Sequence, residues 1–167
     1  MNIYILRHAK AGETSPRFRD DRKRPLTPGG EKEMVRVAKG MRAMKLRFGL
    51  ILSSPFVRAK QTAEIVAEVF KSNKLQLSRN LASGADARNL IAELNHDYSS
   101  LKNILLVGHE PDLSKLISRL SAGDEKISLH FKKAGLCKLT VEKLRFGRCA
   151  TLEWLLSPGQ LERMRKI

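Results

Sequence analysis

The chain has 167 residues, 42% hydrophobic and 29% charged, and its 32 Lys and Arg against 17 Asp and Glu leave a net charge of +15. That length suits one domain, residues 1–167, with room for a buried sheet and covering helices, and the composition is neither disordered nor fibrous. No apolar run approaches the roughly 20 residues that span a bilayer, and Arg7-His8 interrupts the short N-terminal run with no cleavage site behind it, so a cytoplasmic protein is expected.

Charge of this size attracts phosphates, acidic proteins or nucleic acid. Nucleic-acid binding has only composition behind it, because there is no aromatic-interleaved basic motif and no zinc-finger spacing. Cys137 and Cys149 have neither metal-pair spacing nor scaffold density and read as reduced structural thiols. Neither has an Arg six residues on, which removes a cysteine-nucleophile phosphatase loop.

Asn2 to Leu6 is rich in β-branched and aromatic residues without a turn former, and it predicts a strand buried on both faces that ends in Arg7-His8. Cationic and imidazole groups at the carboxyl end of a buried strand stand where open α/β sheets bind ligands. Ala11 to Pro25 is polar and charged, with Arg17, Arg19, Asp20, Asp21, Arg22, Lys23 and Arg24, and reads as a solvated loop able to rim a site. Thr27 caps a helix that has Pro28 in its first turn and Glu31 at its positive end. Met34, Val37, Ala38 and Met41 give that helix one buried face, to about Leu46.

Gly49 to Ser53 predicts a second strand, turned by Ser54-Pro55 into a helix with Ala59, Thr62, Ala63, Val66 and Phe70 as its buried stripe. Arg58 falls in the first turn of that helix, where a cation opposes the macrodipole unless something anionic sits nearby. This conflict makes Arg58 a better phosphate ligand than Lys60 or Lys71. Leu75 to Leu77 predicts a short strand, and Asp86 to Asn95 a helix with Leu90, Ile91 and Leu94 inside. Asn103 to Val107 repeats the opening pattern and ends in Gly108-His109-Glu110-Pro111, followed by a helix striped with Leu113, Leu116, Ile117 and Leu120. Leu136 to Val141 and Ala150 to Leu155 alternate and predict a strand pair closing one sheet edge, while Leu161 to Ile167 reads as a fraying basic tail.

Strand, site residue and helix thus recur three times, and a right-handed α/β sheet gathers the three strand ends along one edge. The pooled groups are Arg7, His8, Arg58 and His109. Guanidinium forks bind phosphoryl oxygens in pairs, a neutral imidazole attacks phosphorus, and a second imidazole can stabilise the charge. The surrounding arginines are expected to keep the nucleophilic imidazole neutral. Neither histidine has carboxylate or cysteine companions at ligand spacing, so no metal is expected, and no Walker-type glycine loop points to ATP. His96 and His130 read as ordinary residues.

These stretches resemble the histidine phosphatase superfamily, phosphoglycerate mutase-like, and within it the SixA-type phosphohistidine phosphatases. Leu6-Arg7-His8-Ala9 is similar to the nucleophile motif, Arg24-Pro25-Leu26-Thr27-Pro28-Gly29-Gly30 to the start of the first helix, Ser53 to Thr62 to the second-arginine motif, and Val107 to Pro111 to the second-histidine motif. The resemblance implies a three-layer α/β/α sandwich with a central, mostly parallel mixed sheet. It implies His8 as the phosphorylated nucleophile, Arg7, Arg58 and His109 as the phosphate pocket, and water attacking the phosphohistidine.

Ala9 stands where many members carry glycine, and neither the segment that covers the site in mutase-like members nor their acidic proton donor can be placed. A short open site points to a macromolecular substrate. In the acid-phosphatase branch an aspartate after the second histidine is the donor, so Glu110 is a candidate for that role beside a plain helix-end role. The expectation is a metal-independent hydrolase with no cofactor, monomeric, acting on a phosphorylated protein such as a histidine phosphotransfer domain. Small phosphate esters or phosphoramidates are the enzymatic alternative, and a basic non-catalytic binding module the other; no membrane partner is expected.

Overall fold

A computed structural model of the protein describes residues 1–13 and 20–165. Arg17 and Arg19, read above as part of the rim, lie outside the described residues, as do the last two residues of the basic tail. The elements run β1 (Asn2–Arg7), α1 (Pro28–Ala43), β2 (Leu50–Ser53), α2 (Val57–Phe70), β3 (Leu75–Leu77), α3 (Ala87–Asp97), β4 (Asn103–Gly108), α4 (Asp112–Ala122), β5 (Leu136–Val141), β6 (Ala150–Leu156) and α5 (Pro158–Met164), with 3₁₀ turns over Asp21–Lys23 and Arg79–Leu81.

The six strands form one sheet in the order β3-β2-β4-β1-β5-β6. β3, β2, β4 and β1 are mutually parallel, while β5 runs antiparallel to β1 and β6 antiparallel to β5. Because successive strand residues point to opposite faces, Ile3, Ile5, Leu52, Ile104 and Leu106 pack with α3 and α4, and Tyr4, Leu6, Ile51, Leu105 and Val107 with α1, α2 and α5. The result is the expected three-layer α/β/α sandwich around a mostly parallel sheet. Buried on both sides, β1, β2 and β4 are the continuous apolar runs of the sequence, while β3 is a largely exposed edge strand.

Local chemistry sets most helix ends. Thr27 Oγ1 accepts the Gly30 amide and Asp86 that of Arg88. α1 is shorter than expected: it stops at Ala43, and Lys45 at φ +57° turns the chain away, with Leu46 following outside the helix. The tail reading needs a larger correction. Pro158–Met164 is a helix with Ser157 and Gln160 in a reciprocal capping box, Leu161 fully buried and Glu162 paired with Arg36 at 2.9 Å. The signal, Ser-Pro-Gly-Gln, was local and legible.

Docking of α5 depends on Gly40. A Cβ there would collide with the Leu161 carbonyl oxygen, a backbone atom that cannot rotate aside. Gly40→Ala gains about 1 kcal/mol of helix propensity, but overpacking costs about 1–3 kcal/mol. We expect the clash to win and Gly40→Ala to lower Tm by about 5 °C in thermal unfolding. A raised Tm would show that α5 shifts at no cost.

Candidate active site

β1, β4 and β2 are neighbours, so their carboxyl ends deliver Arg7-His8, Gly108-His109 and the start of α2 to one place. The structure brings together His8, Arg58 and His109, which are 6%, 4% and 2% exposed. The two imidazole centroids are 5.2 Å apart, and the Phe56 ring packs 5.0 Å from His109 and 5.4 Å from the Arg58 guanidinium.

The tautomer of His8 follows from its neighbours. Its Nδ1 lies 2.7 Å from the Ala9 carbonyl, an acceptor only, so Nδ1 carries the proton and donates. The Nε2 lone pair then faces the site and accepts from Arg58 Nε at 3.3 Å. Burial, opposed by the Ala9 contact and helped by His109, Arg58 and Arg7, pulls the His8 pKa down to about 3. His109 falls to about 4, again through burial first and Arg58 second. The expectation that arginines keep the imidazole neutral therefore has the lesser cause in front. Desolvation comes first.

His109 Nε2 lies 2.8 Å from Ser54 Oγ, which also accepts the Phe56 amide at 3.3 Å. A Ser54 hydroxyl that donates to Nε2 puts the His109 proton on Nδ1. Nδ1 is buried and has no hydrogen-bond partner among the described residues. Arg7 leaves the end of β1 and donates from Nη1 to the Phe131 carbonyl at 2.6 Å, while its buried Nε has no partner among the described residues.

The anion that Arg58 lacked in its own helix comes from the loop before α1. Asp21, in the 3₁₀ turn, accepts from Arg58 Nη2 at 2.9 Å through Oδ2, and its carbonyl accepts from Arg58 Nη1 at 2.7 Å. Its other carboxylate oxygen pairs with Arg24 at 2.8 Å, and Arg24 also donates to the Gly12 carbonyl. Burial raises the Asp21 carboxyl, but Arg58 and Arg24 outweigh it and hold the group below the ordinary carboxylate range. Sequence reasoning missed Asp21 as a site residue and placed Arg24 only in a loop and a motif. The one available hint was the unresolved charge conflict at Arg58.

Two further supports were also unmarked. Thr62 Oγ1 accepts the Ala9 amide at 3.1 Å and donates to the Arg58 carbonyl at 2.7 Å, tying β1 to α2 behind the site. At Gly30 a Cβ would strike the Lys10 carbonyl, so only glycine lets the start of α1 close over the chain after His8.

Glu110 is placed differently from the other four. Its oxygens accept the Ser114 amide at 3.0 Å and the Ser114 hydroxyl at 2.6 Å, which caps α4. These two bonds tie the carboxylate to the first turn of α4. We expect Glu110→Gln to leave the ratio of ester to phosphohistidine hydrolysis within about twofold and to cost about 1 kcal/mol of stability. A selective loss of ester hydrolysis would establish the donor role instead. His96 and His130 are both exposed, His96 beside Asp97.

The family described as the histidine phosphatase superfamily (branch 1) matches over residues 3–83. An uncharacterized protein of Picosynechococcus sp. is 34% identical over 140 residues, 83% of this chain and 84% of its own. The phosphohistidine phosphatase SixA of Escherichia coli is 25% identical over 169 residues, all of both chains. A solved structure of the protein histidine phosphatase SixA complexed with tungstate superposes with a TM-score of 0.81 at 26% identity, over 96% of this chain and 99% of that one. The fold is the phosphoglycerate mutase-like one that the motifs implied. By sequence motif, sheet order and these similarities, this chain belongs to the histidine phosphatase superfamily.

Proposed function

We propose that the protein is a metal-independent phosphatase that works through a phosphohistidine on His8, with phosphohistidine on a protein as its substrate class. The observation that carries this reading is the orientation of His8: Nδ1–H is held by the Ala9 carbonyl, and an unprotonated Nε2 points at the Arg58 guanidinium. In the first step the substrate P–N bond breaks as a P–Nε2 bond forms, and the substrate imidazole leaves neutral because its other nitrogen carries a proton. In the second step water attacks phosphorus, the P–Nε2 bond breaks, and phosphate departs with the water oxygen. Arg58 and Arg7 hold the equatorial oxygens, supplying the charge that a metal ion provides elsewhere. His109 donates from Nδ1.

A neutral imidazole leaving group needs little help from a general acid. Glu110, tied to α4 through Ser114, fits such a substrate better than an ester whose alkoxide must be protonated. The full-length similarity to SixA, named for phosphohistidine, supports the same class.

The reading is tested by one panel of phosphohistidine proteins, phosphoramidate and phosphate esters, run with and without a chelator. The expected ranking by kcat/KM puts phosphohistidine protein first, with activity unchanged by chelation. Faster ester hydrolysis, or activity lost on chelation and restored by a divalent ion, would overturn it.

A further inference from the structure

The segments that carry and flank the site bear exposed cations that the reaction does not use. Lys10 follows His8 by two residues; Arg22 and Lys23 sit on the 3₁₀ turn that grips Arg58; Lys132 and Lys133 precede Ala134, whose amide donates to the Arg7 and His8 carbonyls. All five are exposed. Lys133 feels burial and then the charges of Arg7, Arg24, Lys10 and Arg58, all of which lower its pKa, so Lys10 and Lys133 share one field with the site arginines.

The carboxylates on the same segments are mostly spent. Asp20 is taken by Arg22 at 2.8 Å, Asp21 by Arg58 and Arg24, and Glu110 by Ser114, which leaves Glu13. Lys10, Lys23, Lys132 and Lys133 pair with no described carboxylate. Exposed lysines that repel one another add nothing to stability. They gain a purpose when an anionic surface covers them.

We infer that Lys10, Lys23, Lys132 and Lys133 form a docking collar for a protein partner whose phosphohistidine is surrounded by Asp and Glu. The inference rests on the phosphohistidine-protein reading of the site. A collar spread over three segments is wider than a single phosphoryl group, whose oxygens Arg7, Arg58 and His109 already serve. Nucleic acid fits it less well. Bases need aromatic faces to stack on, and the large hydrophobics exposed among the described residues, Leu77 and Ile127, lie on none of these segments. Phe56, the aromatic at the site, packs against His109 and Arg58.

The test uses two peptides of equal length with one histidine, flanked by Glu in one and by Gln in the other, both chemically phosphorylated. At low salt the Glu peptide is expected to have a kcat/KM about tenfold higher, and the preference should fade as added salt shortens the screening length from about 10 Å towards 3 Å. Lys10→Glu with Lys133→Glu should erase the preference while phosphoramidate turnover stays within about twofold. Binding of the labelled, unphosphorylated peptides, read by fluorescence anisotropy, needs no chemistry and should show the same order. If neither phosphopeptide is hydrolysed but the Glu peptide still binds more tightly, the collar stands and the substrate reading fails. Equal binding of the two peptides, a preference that survives the double substitution, or displacement of the Glu peptide by an oligonucleotide of equal charge at lower concentration overturns the collar.

Discussion

His8→Ala is expected to abolish the covalent phosphoenzyme and to lower turnover by a factor on the order of 10⁴ or more, because the substitution removes the atom proposed to take the phosphoryl group. Rapid quenching with labelled substrate should trap an acid-labile, base-stable phosphoenzyme in the unmodified protein and none in the variant. A phosphoenzyme that persists in His8→Ala would put the nucleophile elsewhere. The depressed pKa of His8, about 3 against an ordinary 6.5, adds a second signature. Nε2, the proposed nucleophile, stays unprotonated down to about pH 5, so activity should not fall with a midpoint near 6.5 as it would for an exposed histidine.

Stability should respond to the same titrations in a direction set by linkage. Below 6.5 the unfolded chain binds protons at His8 and His109 that the folded chain refuses until about 3 and about 4. The unfolded state therefore holds more protons in that window, and stability falls as pH drops through it. Denaturant midpoints measured between about pH 7 and pH 4 should decline less steeply in His8→Ala, which has one such site fewer. An unchanged slope would mean that His8 is not buried neutral.

Arg58→Lys is expected to lower kcat by about 10²–10³-fold although the charge is kept, since an ammonium cannot present one N–H to His8 Nε2 while two others grip Asp21. In the folded protein all three guanidinium nitrogens are committed, Nε to His8, Nη1 to the Asp21 carbonyl and Nη2 to its carboxylate. Asp21→Asn separates the two parts of this arrangement. If Asp21 works by aiming the guanidinium, kcat drops about tenfold with little change in KM. If it mattered only as a negative charge near an anionic substrate, its loss would lower KM and leave kcat alone, and that result would remove its positioning role.

Much of the site was legible because its signals are local. A strand that is apolar throughout and stops at Arg7-His8, or at Gly108-His109, states in consecutive residues both its burial and what it delivers to the sheet edge. Arg58 was visible for a different reason: a cation in a first helical turn is a conflict, and the conflict asked for an anion. Ser157-Pro158-Gly159-Gln160 was equally local, and α5 shows that a terminal helix can be read from its cap even where the charged residues behind it look like a tail.

The sequence by itself determined the elements, the alternation that splits the core between the two sheet faces, and the residue types available for phosphoryl chemistry, because each depends on neighbours within a few positions. Tertiary structure alone decided that Asp21 rather than Asp20 is the anion for Arg58, since the two are adjacent carboxylates with no local difference and are distinguished only by how the 3₁₀ turn lies over α2, a pairing across 37 residues. It also decided the state of the histidines. Their depressed pKa values come first from burial, and burial at a strand end is a property of everything packed around it: α2, the Ser54 hydroxyl and the loop before β5.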